Sequence, residues 1–216
     1  APKDGSTILA GTNASLALPI YGSRVAHYDP RKFEWLGSTD KMQAVCVDWH
    51  TVPVKTLSDA VKRQVIVGAT GINAGPGVYP RILNAMFGTK FKIISGYDTS
   101  GMRLAMEKGE IDGICGLSWQ THKTVSSDWI RDKKINVFVQ MGLDANPELP
   151  GVPLAIDLLK NKDDRAVFEL IVLPQEFGRP FVAPPGTPPE RMAVYRRAFK
   201  ADRKSTRLNS SHVSES

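Results

Sequence analysis

Short apolar runs alternate with amphipathic helical patterns along most of this 216-residue chain, and this alternation limits the fold more than any other feature. A buried strand is typically a short apolar run, whereas a surface helix repeats apolar residues every three or four positions. Strand patterns cover Ser6–Gly11, Phe33–Gly37, Ala44–Trp49, Val65–Val67, Phe91–Ile94, Ile111–Cys115, Ile135–Met141 and Phe181–Ala183.

Helical patterns fill most of the intervals between these strands. Val78, Ile82 and Met86 recur at helical spacing after a glycine-rich stretch. Further helices are predicted at Lys55–Lys62, from Thr99 or Ser100 to Gly109, at Pro153–Lys160 and at Asp163–Leu173, and a last helix opens with the capping box Thr187–Glu190. Strands separated by helices predict an α/β fold with a largely parallel sheet and right-handed crossovers.

The formal net charge is +6, from 28 basic and 22 acidic residues. The basic residues are scattered and do not cluster with aromatic residues, which argues against a nucleic-acid partner. A mild positive field that favours small anions suits the charge as well, but a solvated surface without functional bias explains it better than either.

Cys46 and Cys115 both lie in short apolar stretches. Two cysteines are too few for a disulfide framework, and no CxxC pattern indicates a metal or redox site. We expect two buried thiols; a single bridge is the alternative in an oxidising compartment.

The amino-acid composition becomes more polar from Asp202 onward. Residues 202–216 contain few apolar residues and resemble the translation, in one reading frame, of a sequencing-library adapter. We therefore expect a non-native or disordered tail; a genuine flexible tail is the alternative.

Two loops carry the residue types that bind anions. In the first, small polar residues follow a strand: Thr12, Asn13, Ala14 and Ser15. In the second, Gly68–Gly77 joins a strand to a helix start, where Thr70, Gly71, Asn73 and Gly75 can surround a ligand. A helix N-terminus presents unpaired N–H groups and a partial positive charge. Each loop can also be a plain structural connection, since neither matches a dinucleotide-binding or phosphate-binding motif.

No pattern indicates an enzyme or a metal centre. His27, His50 and His122 stand far apart, and no hydrolase or metalloprotease motif occurs. Asp112 lies between two glycines, where an aspartate more often orders a turn than acts as a base. We therefore expect no cofactor, no metal and no catalytic residues.

Several stretches together resemble one protein family, the substrate-binding proteins of the tripartite tricarboxylate transporters, also called Bug receptors. The similarity extends from the first residue to about Ala201, and the order and spacing of its segments make it specific. The segments that carry it are Pro2–Leu9, Asp29–Pro30 with Phe33 and Trp35–Gly37, Val67–Gly71, Gly109–Gly113 and Arg179–Gly186.

The resemblance implies a two-lobed, periplasmic-binding-protein-like (type II) fold that lacks its N-terminal portion. It also implies a monomeric periplasmic receptor that binds a small carboxylate and delivers it to the membrane permease subunits of a transporter. By position, Tyr97 and Trp119 would line the cleft together with the two loops above. Lobe one would comprise residues 1–51 and 177–201, and lobe two residues 52–176, with crossovers near Trp49–Pro53 and Gln175–Arg179.

Two other classes of protein stay open from the residues themselves. An effector-binding domain of a transcriptional regulator can share this architecture, and it would follow a helix-turn-helix, whereas a receptor would follow a signal peptide. An enzyme with a two-lobed α/β cleft is the third hypothesis.

Overall fold

In a computed structural model, residues 2–11, 16, 18, 19, 22, 26–39 and 41–212 are described, with residues 203–212 in backbone only. The chain divides into two compact units. Unit one comprises Ala1–Lys41 and Glu176–Ser216, and unit two comprises Met42–Gln175.

Unit one contains a three-stranded antiparallel sheet in the order β1-β8-β2. Its strands are β1 (Leu9–Ala10), β2 (Glu34–Ser38) and β8 (Pro180–Ala183), and its helices are a 3-10 turn (Pro30–Lys32) and α8 (Pro189–His212). Helix α8 packs on β2, where a Cβ at Gly37 would lie only 2.6 Å from the Phe199 ring. Glycine at position 37 therefore allows the close approach of helix and sheet.

The first strand differs from its prediction. The pattern Ser6–Gly11 predicts a buried strand, but β1 contains only Leu9 and Ala10 and is exposed. Ile8 and Leu9 are 43% and 49% exposed. Among the described strands β1 pairs only with β8, at the edge of the sheet, so its apolar composition does not reflect burial.

Unit two contains a five-stranded sheet in the order β5-β4-β6-β3-β7. Strand β4 pairs in parallel with β5 and β6, whereas β3 runs antiparallel to β6 and β7. The strands are β3 (Ala44–Trp49), β4 (Gln64–Ala69), β5 (Lys90–Ser95), β6 (Gly113–Ser118) and β7 (Ile135–Met141). The predicted α/β class is confirmed, with one antiparallel strand inserted into an otherwise parallel sheet.

The helices of unit two cover both faces of this sheet. They are α1 (Leu57–Lys62), α2 (Gly75–Phe87), α3 (Thr99–Glu107), α4 (Trp119–Val125), α5 (Ser127–Arg131), α6 (Ala155–Leu158) and α7 (Lys162–Val172), followed by a 3-10 turn (Leu173–Phe177). One core contains Cys46, with Leu83 of α2 and Phe168 of α7. The other contains Val45 and Val47, with Met102 of α3 and Trp129 of α5. Successive β3 residues thus face opposite cores, as the pleat requires.

The boundary between the units lies earlier in the chain than the sequence predicts, because β3 belongs to unit two. The sequence predicts a boundary near residue 51, but the chain passes between units at Lys41–Met42 and returns at Gln175–Glu176. The reason is that Ala44–Trp49 pairs with β6 and β7 within the sheet of unit two. The Met42 amide donates to the Gln175 carbonyl at 3.2 Å, so the two crossings are hydrogen-bonded together.

Cys46 and Cys115 face each other on β3 and β6 and form a disulfide. This overturns the expectation of two separate thiols. Both residues are fully buried, and 69 positions of chain separate them.

Side-chain caps define where helices α1 and α3 begin. Helix α1 begins with a capping box, in which the Thr56 hydroxyl accepts from the Asp59 amide. Helix α3 is capped by Asp98 rather than by Thr99 or Ser100, and its carboxylate accepts from the Gly101 amide at 2.6 Å. Gly109, just past the end of this helix, adopts a φ of +72°.

Helix α8 continues to His212, through residues expected to form a disordered tail. Arginine, lysine and leucine in this stretch are good helix formers, which is consistent with its continuation. No helix among the described residues has the length and apolar character needed to cross a membrane.

Candidate functional site

The carboxyl ends of β4, β5, β6 and β7 lie at one edge of the sheet in unit two, because these strands run in the same direction. We call this the carboxyl edge. In open α/β sheets ligands bind beyond such an edge. The residues predicted from unit two all lie in loops or helix starts at this edge: Thr70, Gly71, Asn73, Gly75, Tyr97 and Trp119.

The loop after β4 leads directly into α2. The cap residue of this helix is Ala74, which has no side-chain acceptor for the first N–H groups. Helices α3 and α7, the others of similar length in unit two, are capped by Asp98 and Asn161. Pro76 has no N–H, and the Ala74 and Gly77 amides donate to the Gly71 and Ala74 carbonyls at 3.2 and 2.9 Å. Among the described residues, this leaves the Gly75 amide and the partial positive charge of the helix start available to an acceptor.

Thr70 and Asn73 lie exposed beside this helix start. The Thr70 hydroxyl makes no hydrogen bond within the described part of the chain. Beside it, the Gly96 and Tyr97 amides both donate to the Ala69 carbonyl, at 3.1 and 3.3 Å. The loop after β5 is thereby fixed next to the loop after β4.

Close backbone contacts around the start of α2 leave no room for a side chain at Gly77 or Gly116. Gly77 packs against the Gly71 carbonyl, where a side chain has no room. A Cβ at Gly116 would lie 2.6 Å from the Gly75 carbonyl oxygen, and Gly116 also has a φ of +118°. These contacts hold the start of α2 directly against β6.

Arg81 braces the same loop from one turn further along α2. Its Nε donates to the Gly77 carbonyl at 2.8 Å and its Nη2 to the Ile72 carbonyl at 2.6 Å. The guanidinium thus occupies two carbonyl groups that would otherwise repel an anion at this loop.

Tyr97 and Trp119 differ in how far they are available to a ligand. Tyr97 is partly buried and packs on the second core. Trp119 is only 7% exposed, and its Nε1 donates to Glu148 Oε2 at 2.7 Å. Lys123, one turn along α4, lies 2.7 Å from the same oxygen. The pKa of Glu148 is lowered, first by the hydrogen bond from Lys123 and also by that from Trp119.

A network of hydrogen-bonded glutamine side chains stabilises the carboxyl edge. No pattern in the sequence predicts this network. The Gln140 side-chain carbonyl accepts from Gln43 Nε2 and from the Asn146 amide, both at 2.9 Å. Gln175 accepts from the Ala44 amide at 2.7 Å and donates to the Met141 carbonyl. Because Gln140 and Gln175 are buried and satisfied, they fix the loop after β7 and the return crossing.

The opposite edge of the sheet carries a buried carboxyl group. Asp48 is fully buried, and Oδ1 accepts from Asn136 at 2.9 Å, whereas Oδ2 has no partner among the described residues. Burial raises the pKa of Asp48 to about 7. The nearby Asp112 adds to this increase, and the Asn136 bond and Lys55 oppose it.

His122 on α4 is also buried, and neither ring nitrogen has a partner in the described structure. Burial lowers the pKa of His122 to about 4, so the ring is neutral at pH 7. His122 is therefore not a source of positive charge for the carboxyl edge.

The remaining candidates lie outside the described residues: Thr12, Asn13, Ala14 and Ser15. Among the residues that the structure describes, no group of three or more histidine, cysteine, aspartate or glutamate side chains could hold a metal ion.

No protein-family model matches the chain, and no curated protein matches it. Solved structures do match. A TctC solute-binding protein from Polaromonas aligns with a TM-score of 0.64 and 16% identity, over 94% of this chain and 66% of that chain. An R. palustris protein solved with adipate aligns with a TM-score of 0.62 and 16% identity, over 90% and 62%.

A third structure, MatC from Rhodopseudomonas palustris with bound malate, aligns with a TM-score of 0.59 and 21% identity, over 93% of this chain and 66% of that chain. This chain thus spans between 62% and 66% of the length of the three structures. These alignments give the chain an α/β, periplasmic-binding-protein-like fold. It is the fold of the TctC solute-binding protein from Polaromonas, as the sequence resemblance implies.

Proposed function

We propose that this chain is the ligand-binding part of a periplasmic receptor for a small carboxylate, which hands its ligand to the permease subunits of a tripartite tricarboxylate transporter. The observation that carries the proposal is the start of α2 at the carboxyl edge, which has no side-chain cap and lies beside the Thr70 hydroxyl. A fold shared with TctC-type proteins supports it.

A carboxylate suits this site for two physical reasons. Its two oxygens accept hydrogen bonds only, so they match the Gly75 amide and the Thr70 hydroxyl as donors. Its charge also interacts favourably with the positive end of the 13-residue helix α2. Gly71 leaves the backbone open to close approach, since a Cβ there would meet nothing within 4 Å, and the Thr70 hydroxyl adds a directional donor.

The ligands of two similar structures are consistent with this chemistry. One was solved with adipate and another with malate, and both molecules are dicarboxylates. We infer a small di- or tricarboxylate as the ligand class, and Thr12 to Ser15 in unit one as further contacts.

A periplasmic location is supported by a structural feature as well as by the fold. The Cys46–Cys115 disulfide belongs to an oxidising compartment, and such bridges are rare in reducing ones. We propose that the receptor works as a monomer, without cofactor or nucleic acid.

A receptor is proposed rather than an enzyme because the two groups whose pKa values burial shifts, Asp48 and His122, do not lie exposed at the α2 loop. Asp48 lies at the opposite edge of the sheet, and His122 is buried within unit two. Asp48 is therefore remote from a ligand that lies against Thr70 and Gly75, and the His122 ring is enclosed by protein.

The test is calorimetric titration of the protein with a panel of mono-, di- and tricarboxylates, followed by Thr70→Val. Loss of one hydrogen bond to a charged group should weaken binding by about tenfold to a hundredfold, from roughly 1.5–3 kcal/mol. Thr51→Val is the matched control, because Thr51 is also exposed but follows β3 at the opposite edge. Absence of binding by every carboxylate, or equal effects of the two variants, would contradict the proposal.

A further inference from the structure

The Glu148 carboxylate accepts hydrogen bonds from two side chains of α4. Oε2 accepts from Trp119 Nε1 at 2.7 Å, and Oε1 accepts from Lys123 Nζ at 2.8 Å. The two oxygens of one carboxylate are thus received by an indole N–H and an ammonium group. This arrangement is a complete carboxylate-binding pair, in which the bound carboxylate belongs to the protein itself.

The pair lies at the carboxyl edge, beside the proposed ligand site. Helix α4 starts at the end of β6, three residues after Gly116, and Gly116 is in direct contact with Gly75 at the start of α2. The Trp119 amide also donates to the Gln43 carbonyl at 2.8 Å, which fixes the first residue of α4 against the sheet. The two sets of donors are therefore held on adjacent, rigid helix starts.

The Trp119 donor is buried, whereas the Glu148 acceptor is exposed to solvent. Trp119 is 7% exposed, so packing fixes its ring. The Glu148 side chain is 51% exposed and belongs to the loop that follows β7. Its loop turns on Asn146, whose side chain accepts from the Glu148 amide at 2.9 Å. Solvent reaches the Glu148 carboxylate, so another carboxylate can take its place without opening the core.

We infer that Trp119 Nε1 and Lys123 Nζ form a second carboxylate subsite, which Glu148 occupies in this structure and which the distal carboxylate of a dicarboxylate ligand takes over on binding. The inference rests on the proposed function, since it assumes that the first carboxylate binds at α2. It assigns to Glu148 the role of an internal competitor, which lowers the affinity for dicarboxylates but not for monocarboxylates.

The inference is tested with matched ligands of equal chain length, adipate against hexanoate, by calorimetry on the wild type and Glu148→Gln. Glutamine keeps an oxygen that can accept from Trp119 and removes the charge that competes for Lys123. The variant should raise the affinity for adipate on the order of tenfold, as expected for one charge-assisted contact, and leave that for hexanoate unchanged. Glu169→Gln is the control, because Glu169 pairs with Arg165 and its side chain is also 51% exposed.

A third variant separates occupancy of the subsite from simple repulsion. Adding Lys123→Met to Glu148→Gln should abolish the gain for adipate, because the ligand then loses its partner. If the gain persists, Glu148 acts only as a nearby negative charge and the subsite is wrong. An unchanged ratio of the adipate and hexanoate affinities in Glu148→Gln also overturns it. Failure of the wild type to bind any carboxylate contradicts the proposed function instead.

Discussion

Replacing Asp48 by asparagine should stabilise the protein at neutral pH. The Asp48 carboxyl is fully buried, and its only side-chain hydrogen bond among the described residues comes from Asn136. The introduced amide would keep an oxygen for that bond and would carry no charge at any pH. The variant therefore removes the cost of burying an ionised carboxylate and little else.

The magnitude follows from the two pKa values. Burial raises the pKa of Asp48 from 3.8 to about 7 in the folded protein. Between these values the unfolded chain has lost the proton and the folded protein keeps it, so stability falls as pH rises from about 4 to about 7. Three pH units at about 1.4 kcal/mol each give about 4 kcal/mol, and the loss is complete above pH 7.

The assay is urea unfolding of the wild type and Asp48→Asn at intervals from pH 4 to pH 8. The stability of the variant relative to the wild type should increase by up to about 4 kcal/mol over this range. Asp163→Asn, at an exposed position of α7, is the control for a change of charge alone. Parallel pH profiles for the wild type and Asp48→Asn would refute the assignment of a buried, protonated carboxyl.

Two further predictions concern stability. Replacing Cys46 and Cys115 together by alanine should reduce the free energy of unfolding by about 4 kcal/mol, because the disulfide closes a loop across 69 positions; an unchanged urea midpoint would refute this. Replacing His122 by leucine should reduce the loss of stability as pH falls from 6.5 to about 4, since burial lowers the pKa of His122 to about 4 and only the unfolded chain gains the proton in that range. Thermal unfolding at pH 4 and pH 7 measures this, and an equal acid sensitivity of both proteins would contradict it.

Local patterns predict most of unit two. The periodicity of Val78, Ile82 and Met86 marks α2, and the apolar run at Phe91–Ile94 marks β5, because period and composition act over a few neighbouring residues. The loop between β4 and α2 is found in the same way, from its glycines and its position between a strand and a helix.

Features that depend on distant pairing are not predictable in this way. The sequence places strand β3 in lobe one, since nothing within Ala44–Trp49 shows that it inserts between β6 and β7. The same insertion brings Cys46 opposite Cys115. Glu148 is 29 positions from Trp119, and no spacing rule connects a loop glutamate with an indole N–H. A single sequence carries these contacts only through the tertiary fold.

Binding of a carboxylate at the start of α2 is best tested by amide chemical shifts of the ¹⁵N-labelled protein during titration with malate and adipate. We expect saturable shifts centred on Gly71, Ile72 and Gly75, with smaller changes at Trp119. Shifts confined to the edge that carries Asp48, or no saturable shifts with any dicarboxylate, would contradict it.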